Sequence, residues 1–263
     1  NDKTTFTDIK GHWAAGYIKY CQSLGIIAGV SATQFKPDAN VTAQEAAKML
    51  LVTLGYDANK AGLVGINWAS KTNALADENG LLEDVNTSFT AACPRQYAAQ
   101  LIYNAIDTPT VVWRDDAYTN VNVLGKDNQT VGEKYMNLVK DEADVGEHDN
   151  ILTKVEKEDG RDTYTITVGG AVYTRVVADY SDLMGQDVVV MHKKNDTSKV
   201  FGVYAAEDSK VLATGFVSGL DTDGDKVKLD GTSYKFDNGY SLSTAMVYNI
   251  NTDTGAVTLQ SLA

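Results

Sequence analysis

Residues 6–50, FTDIKGHWAAGYIKYCQSLGIIAGVSATQFKPDANVTAQEAAKML, carry the start and stop signals of a helix, a tight loop and a second helix. Trp13, Tyr17, Cys21 and Leu24 recur at helical spacing, and Ile18 widens the same apolar face. Gly25 follows the last periodic residue, where a left-handed helix stop needs a residue without Cβ. Phe35-Lys36-Pro37 marks a turn. Thr42 and Glu45 have the spacing of a capping box, in which each side chain bonds the other's backbone N–H. Ala46, Ala47, Leu50, Leu51 and Leu54 form the apolar face of the second helix, and Gly55 ends it.

A weaker copy runs from about Asn67 to Ile106. Trp68 and Gly80 lie 55 residues after Trp13 and Gly25, and Leu81 matches Ile26. The offset then falls to 52, so that Ala98, Ala99 and Ile102 match Ala46, Ala47 and Leu50. A deletion of three residues in the intervening loop accounts for the change. Repetition of one supersecondary unit implies that each copy leaves an apolar face for its neighbour to cover.

The first copy resembles the S-layer homology (SLH) repeat of bacterial surface proteins. The resemblance rests on Phe6–Asp8, His12-Trp13-Ala14, Leu24-Gly25-Ile26 with Gly29, Phe35-Lys36-Pro37, and Val41-Thr42 leading to Glu45-Ala46-Ala47. The family's helix-opening motif is Thr-Arg-Ala-Glu, and this chain has Ala43 where the family has Arg. In the second copy Cys93-Pro94-Arg95-Gln96-Tyr97 overlays that motif, with Arg95 on the family's Arg, Pro94 in place of Thr and Tyr97 in place of Glu. The resemblance implies an extracellular module held non-covalently on a secondary cell-wall polysaccharide of the acidic, pyruvylated type. It also implies three such units with sugar grooves between neighbours. Two are legible here, so a third is expected either before Asn1 or replaced by residues 109–138.

The candidate glycan-binding residues follow. Arg95 offers a rigid fork of donors to a carboxylate, or is a surface Arg pairing with Glu83 or Asp84. Trp13 and Trp68 either stack on a sugar ring or fill the core. Asp8 either bonds sugar hydroxyls or caps local backbone N–H groups. Gly29 either lets a ligand approach the backbone or is a turn glycine. His12 is a family residue with a structural alternative.

Charge is uneven along the chain. Residues 1–108 carry 8 basic and 10 acidic residues, a net of −2, whereas residues 109–263 carry 15 and 25, a net of −10. Such an acidic surface argues against nucleic acid and anionic lipid heads as partners, because phosphate contacts need clustered Lys and Arg. No stretch approaches the roughly 20 apolar residues of a membrane span, so no membrane insertion is expected. Cys21 and Cys93 read as two small buried hydrophobes, too few for a disulfide framework or a zinc site.

After Pro109 comes a short apolar run at 110–113, a polar stretch, one or two helical turns at 130–138, and an acidic connector at 140–150. From Ile151 the pattern is β. Asp159-Gly160 and Asn195-Asp196 are hairpin signals, and Asp182 to Gly185 reads as one helical turn. Ile166, Val168, Gly170 and Tyr173 match Val227, Leu229, Gly231 and Tyr234 at an offset of 61, and Asp196, Thr197 and Val200 of the later hairpin match Asp253, Thr254 and Val257 at 57. The fold class expected is therefore multi-domain α + β: an N-terminal all-α helical domain at 1–108, a connector at 109–150, and antiparallel β domains at 151–206 and 207–263. The β domains read as duplicated small barrels, OB-like in element order, or as sandwiches.

Asp221, Asp223 and Asp225 resemble the opening of a Ca²⁺ loop, but the twelfth position is Thr232 instead of a bidentate Glu, so a hairpin turn is expected and no metal. His12, His148 and His192 are the available neutral-pH bases, and no nucleophile elbow, HExxH, phosphate loop or dinucleotide fingerprint occurs. The expectation is a non-enzymatic surface protein without cofactor, its β half a spacer or a self-associating lattice module. The alternatives are an SLH-anchored carbohydrate-active enzyme, or an adhesin whose β half binds a protein.

Overall fold

Four helices form within the first 106 residues: α1 (Ala15–Ser23), α2 (Ala43–Leu54), α3 (Trp68–Glu78) and α4 (Arg95–Ile106). The computed structural model describes residues 3–122, 128–144, 147, 149–207, 209–216, 220–223, 226–229, 231–235, 248–251 and 256–261. After α4 come β1 (Val111–Arg114), β2 (Ala117–Asn120), a short helix α5 (Val131–Met136), and twelve strands: β3 (Leu138–Asp141), β4 (Leu152–Lys157), β5 (Tyr164–Val168), β6 (Ala171–Val176), β7 (Val188–Lys193), β8 (Asp196–Ala205), β9 (Lys210–Phe216), β10 (Leu220–Asp223), β11 (Lys226–Leu229), β12 (Thr232–Lys235), β13 (Tyr248–Asn251) and β14 (Ala256–Ser261). A single 3-10 turn, Ser181–Leu183, falls where one helical turn is expected. The fold is thus mixed, with helices first and antiparallel sheets after. None of the described helices is long and apolar enough to cross a membrane.

The expected caps form. Thr42 N donates to Glu45 Oε2 at 2.8 Å and Glu45 N to Thr42 Oγ1 at 3.2 Å, and Gly55 closes α2 in a left-handed conformation. Thr130 and Glu133 repeat the same exchange at the start of α5, both bonds at 3.2 Å.

The chain divides into two compact units, 1–136 and 137–263. In the first, α2 is the central helix and packs against both α3 and α4. Its Ala43, Ala47, Leu51 and Leu54 are fully buried together with Leu63, Ala76, Leu81, Leu101 and Ala105, so the two repeats share one core. The β1–β2 hairpin closes over this core. The Tyr118 ring packs tilted against Tyr56, centroids 4.6 Å apart, and its hydroxyl accepts from Asp57 N at 3.0 Å. A side chain at Gly55 would collide with the Val111 carbonyl, so only glycine lets α2 end against β1.

The α1 helix departs from expectation. The spacing of Trp13, Tyr17, Cys21 and Leu24 reads as a buried face, yet only Ile18 is buried, in a separate small cluster with Phe6 and Ile9. Trp13 is 83% exposed. The shared core therefore forms around the alanines and leucines of α2 and not around the two indoles.

The second unit holds four three-stranded antiparallel sheets, ordered β4-β5-β6, β3-β7-β8, β10-β11-β12 and β13-β14-β9. The first two share an apolar cluster, Leu152, Ile166, Val168, Tyr173 and Val176 against Val188, Val190 and Val203. Among the described residues no sheet closes, so the small barrels expected from element order are not built. A barrel needs one continuous ring of paired strands, and here the meanders β4-β5-β6 and β10-β11-β12 are separate sheets from those that hold β3 and β9. Of the Ca²⁺-like loop, Asp221 and Asp223 lie on β10, where Asp223 pairs with Lys226 of β11; Gly224 and Asp225 lie outside the described residues, as does the 253–254 turn.

Glu158 ties the first meander together. Its Oε1 accepts from Arg175 N at 2.8 Å and from Thr165 Oγ1 at 3.0 Å, and its Oε2 from Thr163 Oγ1 at 2.7 Å. The Arg175 N–H, helped by the two hydroxyls, holds this carboxyl down to about 2.

Two predictions follow from this packing. Leu101→Ala removes a fully buried side chain of the second repeat and costs about 2–5 kcal/mol. Because the core is shared, amide exchange should accelerate in α2 as well as α4; acceleration confined to α4 would show separate cores. For Glu158, the folded state holds the proton less tightly than the unfolded chain, so its stabilisation is present above pH 4.5 and is lost as pH falls toward about 2. Thermal melting of Glu158→Gln should show a lower melting temperature than wild type at pH 7 and a smaller drop between pH 5 and 2.

Candidate functional site

A groove of about 470 Å³ runs along the first repeat where the second joins it. One wall is the loop that follows α1, residues 25–30, 35–37 and 39–41. The other is the side of α2 bearing Glu45, Lys48, Met49 and Val52. Ala58 and Val64 of the segment between the repeats and Trp68 of the second repeat complete it. The expected seam between repeats is therefore present in the geometry of the helical unit.

Lys48 and Trp68 meet at this seam. The Lys48 ammonium lies 5.4 Å from the centroid of the half-buried Trp68 ring, a cation–π contact between α2 and α3. Lys36 also lines the groove, its backbone held at φ 60° in the Phe-Lys-Pro turn. The site thus combines an indole and the Lys48 ammonium with Lys36 in the lining of a mostly apolar groove. Glu45 is committed to the helix cap.

The loop wall is held by Asp8. Its carboxylate accepts from Phe35 N at 3.0 Å and from Lys36 N at 2.8 Å. These two N–H groups, Phe35 first, keep the Asp8 carboxyl below its ordinary range. Gly29 lies inside the same loop, and a Cβ there would overlap the Phe6 ring and fall 2.5 Å from Ser31 O and 2.6 Å from Gln34 O. Of its two expected roles, close packing of the chain on itself is the one the geometry displays. His12 is fixed as well: Nδ1 accepts from Ala14 N at 3.1 Å and Nε2 lies 3.2 Å from Asp38 Oδ1, an arrangement met by the Nε2–H tautomer.

Of the other expected site residues, Trp68 and Gly29 line the groove, whereas Trp13 and Arg95 do not. Arg95 is exposed at the first position of α4 and, among the described residues, forms no ion pair with Glu83 or Asp84. Lys36 and Lys48 were not singled out from the sequence. Lys36 lies within a quoted motif, but the place of Lys48 depends on how α3 lies on α2. Ala43, where the family has Arg, is fully buried. The segment before α4 runs alongside it: Gln44 N donates to Phe89 O at 3.3 Å, and Cys93 N to Val41 O at 2.8 Å. Cys21 and Cys93 are free and half-buried, and burial pushes the Cys93 thiol up.

Of the possible bases, His192 is buried. Its ring nitrogens lie 2.8 Å from Asp141 Oδ2 and 2.9 Å from Lys193 O, and the same Asp141 oxygen accepts from the Tyr173 hydroxyl. His148 lies outside the described residues.

Replacing Asp8 by Ala should free the Phe35 and Lys36 amides and speed their hydrogen exchange, with α2 unaffected. In wild type the same amides should lose protection as pH falls below 3.8, because a carboxyl held down by folding stabilises only above its unfolded value.

Residues 5–47 match the model of the S-layer homology domain. A cell surface protein of Thermoanaerobacter kivui is 25% identical over 264 residues, covering 94% of this chain and 31% of its own length. A middle cell wall protein of Brevibacillus brevis (strain 47) is 30% identical over 89 residues, covering 34% of this chain and 8% of its own length. The chain thus spans less than a third of either relative. No solved structure matches it significantly. With the capped helices, the loop between them and the family match all falling on the same residues, the chain carries an S-layer homology domain at residues 5–47.

Proposed function

We propose that this chain is part of an extracellular, wall-anchored surface protein whose helical unit binds a secondary cell-wall polysaccharide. The observation that carries the reading is the groove at the repeat seam, with the Trp68 ring and the Lys48 and Lys36 ammonium groups along it. An indole offers a flat apolar face to a sugar ring, and two ammonium groups suit a carboxylate such as a pyruvyl group. The S-layer homology domain at 5–47 and the names of the two relatives point the same way.

The β unit serves, in this reading, as a spacer or lattice module without catalysis, and its two halves are related by duplication. In support of duplication, Ile166 pairs with Tyr173 as Val227 pairs with Tyr234, each with a glycine immediately before the returning strand. Each half also has a lone strand, a three-strand meander and a hairpin in that order. In support of a non-catalytic role, His192 is buried with both ring nitrogens engaged. Self-association into a surface lattice belongs to the same reading.

Pull-down with purified wall polysaccharide tests it. Trp68→Ala and Lys48→Ala should each weaken recovery roughly tenfold. Equal recovery of wild type and Arg95→Ala would exclude Arg95 from the site, and no recovery of wild type would end the wall-binding reading. A screen on polysaccharide substrates should detect no cleavage.

A further inference from the structure

The apolar stripe of α1 has no cover among the described residues. Tyr17 is 70% exposed, Tyr20 62% and Leu24 44%, and with Trp13 they follow the spacing of one helix face. The equivalent face of the second repeat, 55 residues on, reads Trp68, Thr72, Leu75 and Asn79. There Thr72 is fully buried, Leu75 packs on the shared core, and the covering helix is α2. The chain itself therefore shows what such a face is built to meet.

It also carries a second copy of the receiving surface. The buried α2 positions Ala47, Leu51 and Leu54 recur 52 residues on as Ala99, Tyr103 and Ile106 of α4. Ala99 is exposed, Tyr103 is 54% exposed, and the adjacent Ile102 is 55% exposed. One chain thus displays both halves of a joint that it makes once internally, the inserting face on α1 and the receiving face on α4.

We propose that α1 of one copy docks on α4 of a second copy, repeating the α2–α3 joint between chains. Different surfaces meet in this contact, so it is head-to-tail and propagates into a ring or a filament. The proposal rests on the self-association in the reading above and names its surface; it does not require glycan binding.

Sedimentation velocity of the whole chain without polysaccharide, up to about 0.5 mM, tests it. Wild type should associate with rising concentration. Tyr17→Lys on α1 and Tyr103→Lys on α4 should each weaken association roughly tenfold or more. Both side chains are exposed, so melting by circular dichroism should be unchanged. An equimolar mixture of the two variants should pair again and stop at dimers, because each retains one good face. A wild type that stays monomeric overturns the proposal, as does a mixture that fails to pair or an association lost in Tyr17→Lys and kept in Tyr103→Lys. So does a Trp13 fluorescence shift caused by wall polysaccharide, read in a Trp68→Phe, Trp113→Phe background while the chain stays monomeric, since the stripe would then be a sugar platform. Pull-down of both variants on wall polysaccharide should match wild type, which separates failure of this joint from failure of wall binding.

Discussion

The burial of α2 against both helices of the second repeat is what the helical unit depends on. Ala43 and Ala47 leave no side chain to hold neighbours away, while Leu51 and Leu54 supply the apolar area. A buried leucine contributes about 1.5–3 kcal/mol, and neither repeat has enough such residues to form this core alone. The arrangement also explains the departure from the family's helix-opening motif. At Ala43 the space beside α2 is taken by the chain at Phe89–Cys93, bonded to Val41 and Gln44. A guanidinium there would have to displace the second repeat or lie buried without a partner, at a cost of several kcal/mol.

The same packing brings positive charge to the groove by another route. Lys48 lies partly buried on the face of α2 that α3 approaches, and its ammonium is held over Trp68 instead of extending into water. The opposite wall is fixed by side-chain to backbone bonds from Asp8 and by the fit of Gly29 beneath Phe6. A wall set in this way is ordered before any ligand arrives, so binding does not have to offset the entropy of ordering the loop.

What was legible in the sequence was local. Thr42 with Glu45, Gly25 and Gly55 act within a few residues, and the caps and stops formed where their spacing placed them. The hairpins at Gly160 and Asn195, both at positive φ, are local for the same reason. The α1 stripe was misassigned because periodicity reports which face is apolar and is silent on whether anything covers it. The contact between Lys48 and Trp68 was not legible, since twenty residues separate them and only the lie of α3 on α2 joins them. The pairing of β3 with β7 and of β9 with β14 is non-local in the same sense, so element order suggested a barrel that register does not close.

Charge distribution sets a last constraint on how an acidic glycan would be met under the proposed wall-binding role. The chain is −12 overall, with −10 in residues 109–263, so at long range it repels an anionic polymer. At physiological ionic strength that repulsion decays over about 8 Å, whereas an ammonium at contact is screened far less. In the proposed reading, association would therefore be decided within the groove and not by steering. Lys36 and Lys48 act there at short range beside an apolar wall, where the local dielectric strengthens each contact. Added salt should then have two opposed effects, relieving the long-range repulsion while weakening the ammonium–carboxylate contacts. A partner of this kind is held with a much shallower salt dependence than nucleic acid on a basic surface, where every phosphate contact releases counterions.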